Sequence, residues 1–131
     1  MNFLIVSNNK EVYCPLAEII ENNGLGKIIQ GNHLLNYEKA DILIMELSKP
    51  ANRSLERLYK LTNLFSGEII IVSQIKDKEV IAKSYSLGIE YYIVKPIYSS
   101  EVIEILKKVI KLTQFKKCIK NAKNILKNLK F

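Results

Sequence analysis

Four short apolar runs recur along the chain, and each is built almost entirely from residues that favour β-strands. They lie at residues 3–6, 42–45, 69–72 and 91–94, with a weaker run at 27–30. Strands that are apolar on both faces suit a parallel sheet covered by helices on both sides. Helix-like periodicity fills the gaps, over residues 13–23, 54–65, 77–87 and from Ser99 or Ser100 onward. This alternation predicts an α/β fold, a doubly wound five-stranded parallel sheet in the order 2-1-3-4-5.

The connection between the second and third of these strands is unusually short. Only residues 31–41 separate them, whereas a parallel crossover normally takes about a dozen residues or more. We therefore expect a shortened second helix. His33, the only histidine, is expected in this loop. It has no cysteine, histidine or acidic pair at metal-ligand spacing, so a metal site there is poorly supported.

Length and composition bound the class of protein. The 131 residues are 48% hydrophobic and 25% charged, as in a single soluble globular domain. No apolar run approaches the roughly 18 residues of a membrane span, and the first residues lack the basic segment of a signal peptide. We therefore expect a cytoplasmic protein with no membrane span. In that compartment Cys14 and Cys118 would stay reduced, and both are expected to be buried as small apolar side chains.

The positive charge of the chain is concentrated at one end. The formal net charge is +7, and residues 114–131 contain six lysines and no acidic residue. The remainder of the chain holds 14 basic and 13 acidic residues and is close to neutral. Any partner that is attracted by charge is therefore expected to bind this last segment.

Polar residues follow several of the predicted strands at their carboxyl ends, where doubly wound sheets place their ligand sites. In chain order they are Ser7, Asn8, Asn9, Glu46, Ser73 and Lys95. The chain has no Ser-His-Asp, Cys-His, P-loop or Gly-x-Gly-x-x-Gly pattern. An ordinary hydrolase or nucleotide-dependent enzyme is therefore not expected.

Two segments within residues 1–113 carry recognisable motifs, DILIMELSKP at residues 41–50 and YYIVKP at residues 91–96, and Ser73 ends the apolar run between them. Together they resemble the receiver domain of two-component response regulators. The first is like the third-strand segment of that family, with a proline four residues past the phosphoacceptor position, the second is like its aromatic-x-x-Lys-Pro signature, and Ser73 falls at its Ser/Thr position. The resemblance implies the flavodoxin-like (CheY-like) form of the fold and a role in signal transduction. It also implies switch or interface positions at Tyr91, Tyr92 and Tyr98.

The chain departs from the receiver pattern in the pocket itself. Where receivers carry an acidic pair that binds Mg²⁺, the chain has Ser7 and Asn8, and where they carry the phosphorylated aspartate it has Glu46. Mg²⁺ prefers several hard, anionic oxygens, and phosphoryl transfer depends on the metal and on positioning. We therefore expect no catalytic residue, no cofactor and no bound metal. What remains is a degenerate phosphoacceptor pocket of Ser7, Asn8, Glu46, Ser73 and Lys95.

Two interpretations of Glu46 remain open. In the first, its carboxylate imitates the phosphorylated state, with Lys95 paired to it, Ser73 hydrogen-bonded to it and Tyr92 turned inward. In the second, Glu46 is simply a polar residue at a strand end that has a lysine partner by geometry. A single ion pair at a half-buried edge adds little net stability in either case.

Residues 114–131 are interpreted as a basic amphipathic extension of the receiver-like domain at residues 1–113. Apolar residues recur at steps of three or four into this extension and predict one long helix. They include Ile105, Val109, Leu112, Phe115, Ile119, Leu126 and Leu129. Three alternatives are open: the extension pairs with a second copy, folds back onto the domain, or binds nucleic acid or an acidic membrane surface. The last would use Lys116, Lys117, Lys120, Lys123 and Lys127.

These features favour a non-catalytic, atypical receiver that acts through protein–protein contacts and is not phosphorylated. Its expected partners are a second copy, bound through the last helix, and a sensor kinase or an output protein. One alternative is a regulator that is phosphorylated at an unusual site. Another is a DNA-binding or transcription-regulating response regulator, or its N-terminal part, which uses the lysine-rich extension or an output domain outside this chain.

Overall fold

The computed structural model of the chain describes residues 1–30 and 34–128, without the side chains of residues 34–36. Its elements are β1 (Asn2–Val6), α1 (Lys10–Asn22), β2 (Lys27–Ile29), α2 (Leu34–Lys39), β3 (Ile42–Leu47), α3 (Ala51–Leu64), β4 (Glu68–Ser73), α4 (Lys78–Ser86), β5 (Tyr91–Val94) and α5 (Ser99–Asn128). The five strands form one parallel sheet in the order β2-β1-β3-β4-β5. The predicted doubly wound fold is therefore confirmed, with a short α2 and a long α5. The expectations for His33 and Leu129 lie outside the described residues.

The strands alternate their side chains between two hydrophobic layers. Along β3, Ile42 and Ile44 pack with α1 and α5, whereas Leu43 and Met45 pack with α3 and α4. All four side chains are essentially inaccessible to solvent. Successive residues of a strand face opposite sides of its sheet, so a run that is apolar at every position fills both layers. This alternation also decides which residues meet at the carboxyl edge of the sheet.

Polar caps and glycines set the ends of the helices. The side chain of Asn9 accepts a hydrogen bond from the Glu11 backbone N–H at 3.0 Å and begins α1 at Lys10. The helix therefore starts three residues before the range 13–23 that the apolar pattern predicts, and Pro15 lies inside it. Gly24 and Gly88 follow α1 and α4 with φ of 60° and 94°, a left-handed conformation that glycine adopts without steric cost.

Helix α5 is one uninterrupted helix of 30 residues. Val102, Leu106, Val109 and Thr113 are buried against the sheet, and every described residue after Thr113 is exposed. We call the described part beyond Thr113, residues 114–128, the overhang. Because the overhang continues the same helix and its side chains are exposed, the alternative in which the extension folds back to pack on the domain is wrong for residues 114–128.

Both cysteines are exposed, contrary to the expectation that they are buried. Cys14 follows the inward-facing Val12 by two positions on α1, which places it on the solvent side of that helix. Cys118 lies in the overhang, where the domain provides no surface to cover it. The apolar character of cysteine therefore did not predict burial, because helix geometry decides which positions reach the core.

Candidate functional site

The carboxyl ends of β1, β3 and β5 bring three of the predicted residues together. Ser7 follows β1, Glu46 is the penultimate residue of β3, and Lys95 follows β5. Alternate residues of a strand share one face of the sheet. All three therefore lie on the same face as residues that pack toward α1 and α5, such as Ile5, Ile44 and Ile93. They therefore converge on one face of the sheet, and we call this group the Glu46 pocket.

Both carboxylate oxygens of Glu46 are engaged by its neighbours. The Ser7 hydroxyl donates to Oε1 at 2.9 Å, and the Lys95 ammonium forms an ion pair with Oε2. The side chains of Glu46 and Lys95 are only 11% and 17% exposed. A carboxylate in such surroundings needs an opposite charge and a hydrogen bond to offset its lost hydration. Lys95 and Ser7 provide these two interactions.

Ser7 was expected in the pocket as the replacement of an acidic residue, but its hydrogen bond to Glu46 was not predicted from the sequence. The β1–β3 register pairs Val6 with Met45, so the next positions, Ser7 and Glu46, are neighbours. The Asn9 backbone N–H donates to the Ser7 hydroxyl oxygen at 3.1 Å and helps to orient it. Asn8 is adjacent to Ser7 in the sequence and therefore points away from this face, and it is exposed, so the structure does not bring it into the pocket.

Ser73 does not hydrogen-bond Glu46, and that part of the prediction is wrong. It is fully buried, donates to the Leu47 carbonyl at 2.6 Å and accepts from the Ile75 N–H at 3.0 Å. The β3–β4 register pairs Ser73 with Leu47 rather than with Glu46. Laterally paired residues share a face of the sheet and adjacent residues do not, so Ser73 lies on the opposite side from Glu46.

Tyr92 is turned inward on the same side of the sheet as Ser73. Its hydroxyl donates to the Ile75 carbonyl at 3.0 Å, and its ring packs with the layer beneath α3 and α4. Burial raises the pKa of the Tyr92 phenol. Ile75 thus contacts Ser73 through its N–H and Tyr92 through its carbonyl. Tyr91 is half-buried and Tyr98 is exposed.

We expect the stability of the chain to fall at alkaline pH partly through Tyr92. Because its pKa is raised in the folded state, this stabilising contribution is present below the ordinary tyrosine value of about 10 and is lost as pH rises through the folded pKa. Urea unfolding at about pH 8 and pH 11 of the chain and of Tyr92→Phe would test this. At pH 8 the free energy of unfolding of Tyr92→Phe should be about 1 kcal/mol lower than that of the unaltered chain. Between pH 8 and pH 11 it should fall by less than that of the unaltered chain. An identical pH dependence of both proteins would contradict the assignment.

The Glu46 pocket is a poor match for the Mg²⁺ that receiver domains use. Its one carboxylate is already paired with Lys95, and the other side-chain oxygen that could bind a metal is the neutral Ser7 hydroxyl. Mg²⁺ would have to displace the lysine and keep near-octahedral geometry with neutral ligands. Within residues 1–30 and 34–128, no three histidine, cysteine or acidic residues are grouped as metal ligands. The residues present therefore do not fit this metal.

The overhang is a second candidate surface, and its apolar side chains do not continue the buried face of α5. Phe115, Ile119, Ile125 and Leu126 are exposed by 62%, 39%, 62% and 63%. At about 100° per residue, these side chains are turned by roughly 80–160° from the direction in which Val109 faces the core. The predicted single stripe from Ile105 to Leu126 is therefore two stripes. Val109 belongs to the core and is not available to a partner, and Ile105 and Leu112 are half-buried between the two.

Comparisons with known proteins identify the fold and its class. The chain is 36% identical over 118 residues to the transcriptional regulatory protein GlnL of Bacillus subtilis (strain 168), a match that covers 83% of this chain and 37% of GlnL. A response regulator from Thermotoga maritima superposes with a TM-score of 0.72 at 22% identity, covering 84% of this chain and 97% of that one. A CheY-like receiver domain protein from Methanospirillum hungatei JF-1 gives 0.74 at 19% identity, covering 88% and 97%. No protein-family model matches the chain.

The chain therefore has the fold of response regulator receiver (CheY-like) domains. Its sequence is similar to GlnL, and it spans little more than a third of that protein's length. Among the described residues, no helix has both the length and the hydrophobicity needed to cross a membrane.

Proposed function

We propose that the chain is an atypical, non-catalytic receiver that signals through protein–protein contacts without being phosphorylated. The observation that carries this proposal is the Glu46 carboxylate, whose two oxygens are taken by Ser7 and Lys95. An attacking carboxylate must be free to reach the phosphoryl group in line. It also needs a metal to neutralise charge on the transferred oxygens. Glu46 meets neither requirement.

We further propose that the pocket keeps the receiver in one fixed state. The Lys95 pair and the inward Tyr92 are the features expected if Glu46 imitates a phosphoryl group. The bonds of Ser73 to Leu47 and Ile75, rather than to Glu46, favour the plainer interpretation of Glu46 as a paired polar residue. Under both interpretations the ion pair is present without any added group, so the surface offered to partners does not depend on a phosphodonor.

A restoration experiment tests the absence of phosphorylation. The chain is incubated with Mg²⁺ and a small acyl phosphate, and its intact mass is measured. We expect no phosphorylated species from the chain. The triple variant Ser7→Asp, Asn8→Asp, Glu46→Asp restores the acidic residues of the receiver pattern at these three positions and is expected to gain one phosphoryl group. A phosphorylated form of the unaltered chain that disappears in Glu46→Gln would overturn the proposal.

The contact surface that we propose is the overhang, through which two copies form a homodimer in the cytoplasm. Its apolar face is turned away from the domain, so a second helix can approach without meeting the body of the same protomer. A separate output protein is the other partner class that an unphosphorylated receiver would engage. A sensor kinase is then not required to donate phosphate to this chain.

A second candidate function is transcription regulation through DNA. It is favoured by the similarity to a protein named a transcriptional regulatory protein, of which the chain spans 37%. Lys116 and Lys117 are already paired within the domain, which leaves Lys120, Lys123 and Lys127 for phosphate contacts. Titrating a DNA duplex at several salt concentrations tests it, because phosphate contacts weaken steeply with salt. Saturable binding with a steep salt slope would favour this candidate, and its absence would leave the protein-contact function.

A further inference from the structure

Two lysines at the start of the overhang are paired with acidic residues at the amino-terminal edge of the sheet. Lys116 forms an ion pair with Glu68, and Lys117 forms one with Asp41. Glu68 is the first residue of β4, and Asp41 immediately precedes β3. We call these four residues the lower-edge clamp, because they join α5 to the end of the sheet opposite the Glu46 pocket.

The acidic half of the clamp is fixed by the sheet. The side chains of Glu68 and Asp41 are only 14% and 18% exposed, whereas those of Lys116 and Lys117 are 57% and 55% exposed. The Asn2 backbone N–H donates to the Asp41 carboxylate at 2.8 Å, and the Asp41 N–H donates to the Asn2 carbonyl at 2.8 Å. The lysines therefore reach from the helix to two sheltered carboxylates, and the Asn2 N–H also holds that of Asp41.

The ionisation of these groups is consistent with that geometry. Burial works to raise the pKa of Asp41, but hydrogen bonds from Lys117 and from the Asn2 N–H outweigh it and hold the pKa below its usual value. The hydrogen bond to Glu68 raises the pKa of Lys116. Asp41 and Lys116 are therefore charged at neutral pH, and the sheltered position of the carboxylates limits screening by salt.

We propose that the lower-edge clamp has two effects on the overhang. It fixes the direction in which the helix leaves the domain, and it neutralises two of the six lysines in residues 114–131. The second effect rests on the proposed homodimer, in which the lysines of two overhangs lie close together and repel. The clamp lowers that repulsion by pairing Lys116 and Lys117 with carboxylates of their own domain.

Two variants of the full chain separate these effects. Asp41→Asn with Glu68→Gln removes the carboxylates and leaves both lysines unpaired, while the amide oxygen introduced at position 41 can still accept from the Asn2 N–H. Lys116→Gln with Lys117→Gln also breaks the clamp but removes the positive charges. The matched control is Glu18→Gln with Glu21→Gln, which makes the same charge change as the first variant on the exposed side of α1.

The first measurement is amide hydrogen exchange of residues 114–121 at a dilution where the chain is monomeric. Both clamp variants should exchange about three- to tenfold faster in this segment at low salt, the scale expected for losing two partly exposed ion pairs. The control should match the unaltered chain. Unchanged exchange in both clamp variants would overturn the clamp itself.

The second measurement is the dimer dissociation constant by sedimentation at low salt. The carboxylate variant should raise it by about three- to tenfold, whereas the lysine variant should not, because it has lost the repelling charges as well. Equal weakening by both variants would overturn charge neutralisation while leaving the directional effect. If the unaltered chain is monomeric at all concentrations, the proposed homodimer fails, and the exchange data still decide the clamp.

Discussion

The double substitution Ile119→Glu and Leu126→Glu is expected to convert the chain from a homodimer into a monomer. Together with Phe115, these side chains form the centre of the exposed apolar face of the overhang. Burying each of them fully against a second copy is worth about 1.5–3 kcal/mol. A glutamate at either position would have to be buried without a partner in the same interface, which costs several kcal/mol more.

Sedimentation of the full chain at several concentrations and salt levels measures this effect. The unaltered dimer should tighten as salt rises, because the unpaired lysines of the two overhangs repel less when they are screened. The control variant Asn121→Glu with Asn124→Glu introduces the same charge on polar positions of the same helix and should remain dimeric. An unaltered chain that sediments as a monomer under all these conditions would refute the dimer, as would a dimer that survives both glutamates.

Lys95→Met is expected to destabilise the domain by about 2–4 kcal/mol, whereas Glu46→Gln should cost only about 1 kcal/mol. Removing Lys95 leaves the Glu46 carboxylate, 11% exposed, with one neutral donor in place of an opposite charge. Losing one partner of a buried ion pair typically costs about 3–5 kcal/mol, and the partial exposure of this pair lowers that value. Glu46→Gln leaves an amide that still accepts from Ser7, and Lys95 retains access to water.

Urea unfolding of both single variants and of the double variant measures this asymmetry. The double variant Glu46→Gln, Lys95→Met should be more stable than Lys95→Met alone, because no uncompensated charge remains. Equal free energies of unfolding for the two single variants would show that Lys95 does not compensate the charge of Glu46.

Sequence reasoning predicted the sheet, its strand order and the short α2 because strand burial and connection length are strongly constrained by physics. It also predicted that Glu46 and Lys95 pair, because the carboxyl ends of parallel strands β3 and β5 lie at the same edge of the sheet. It failed for Ser73 because one residue of strand register changes the face of the sheet, and the register is not evident from the sequence. It included Ser7 in the pocket but did not predict its hydrogen bond to Glu46, although Ser7 lies two residues after Ile5 and therefore on the same face of the sheet.

The last helix shows a second limit of pattern reading. Apolar steps of three and four continue without a break from Ile105 into the overhang, so they look like one stripe. The two consecutive steps of three from Val109 through Leu112 to Phe115 turn the side-chain direction by about 120°, because each step of three residues covers only about 300° of a full turn. Val109 consequently ends in the core while Phe115 and Leu126 face solvent. No sequence pattern indicated that the acidic and basic residues of the lower-edge clamp would meet, since these contacts depend on where α5 crosses the sheet edge.

The uninterrupted course of α5 gives this receiver the mechanics of a lever. The half before Thr113 is held in the core by Val102, Leu106 and Val109, and the overhang projects about 22 Å beyond it. A tilt of about 10° in the packed half moves the far end by about 4 Å, with no change in the helix itself. A small rearrangement under α5 is therefore magnified at the tip, and a force applied at the tip returns as torque on the sheet.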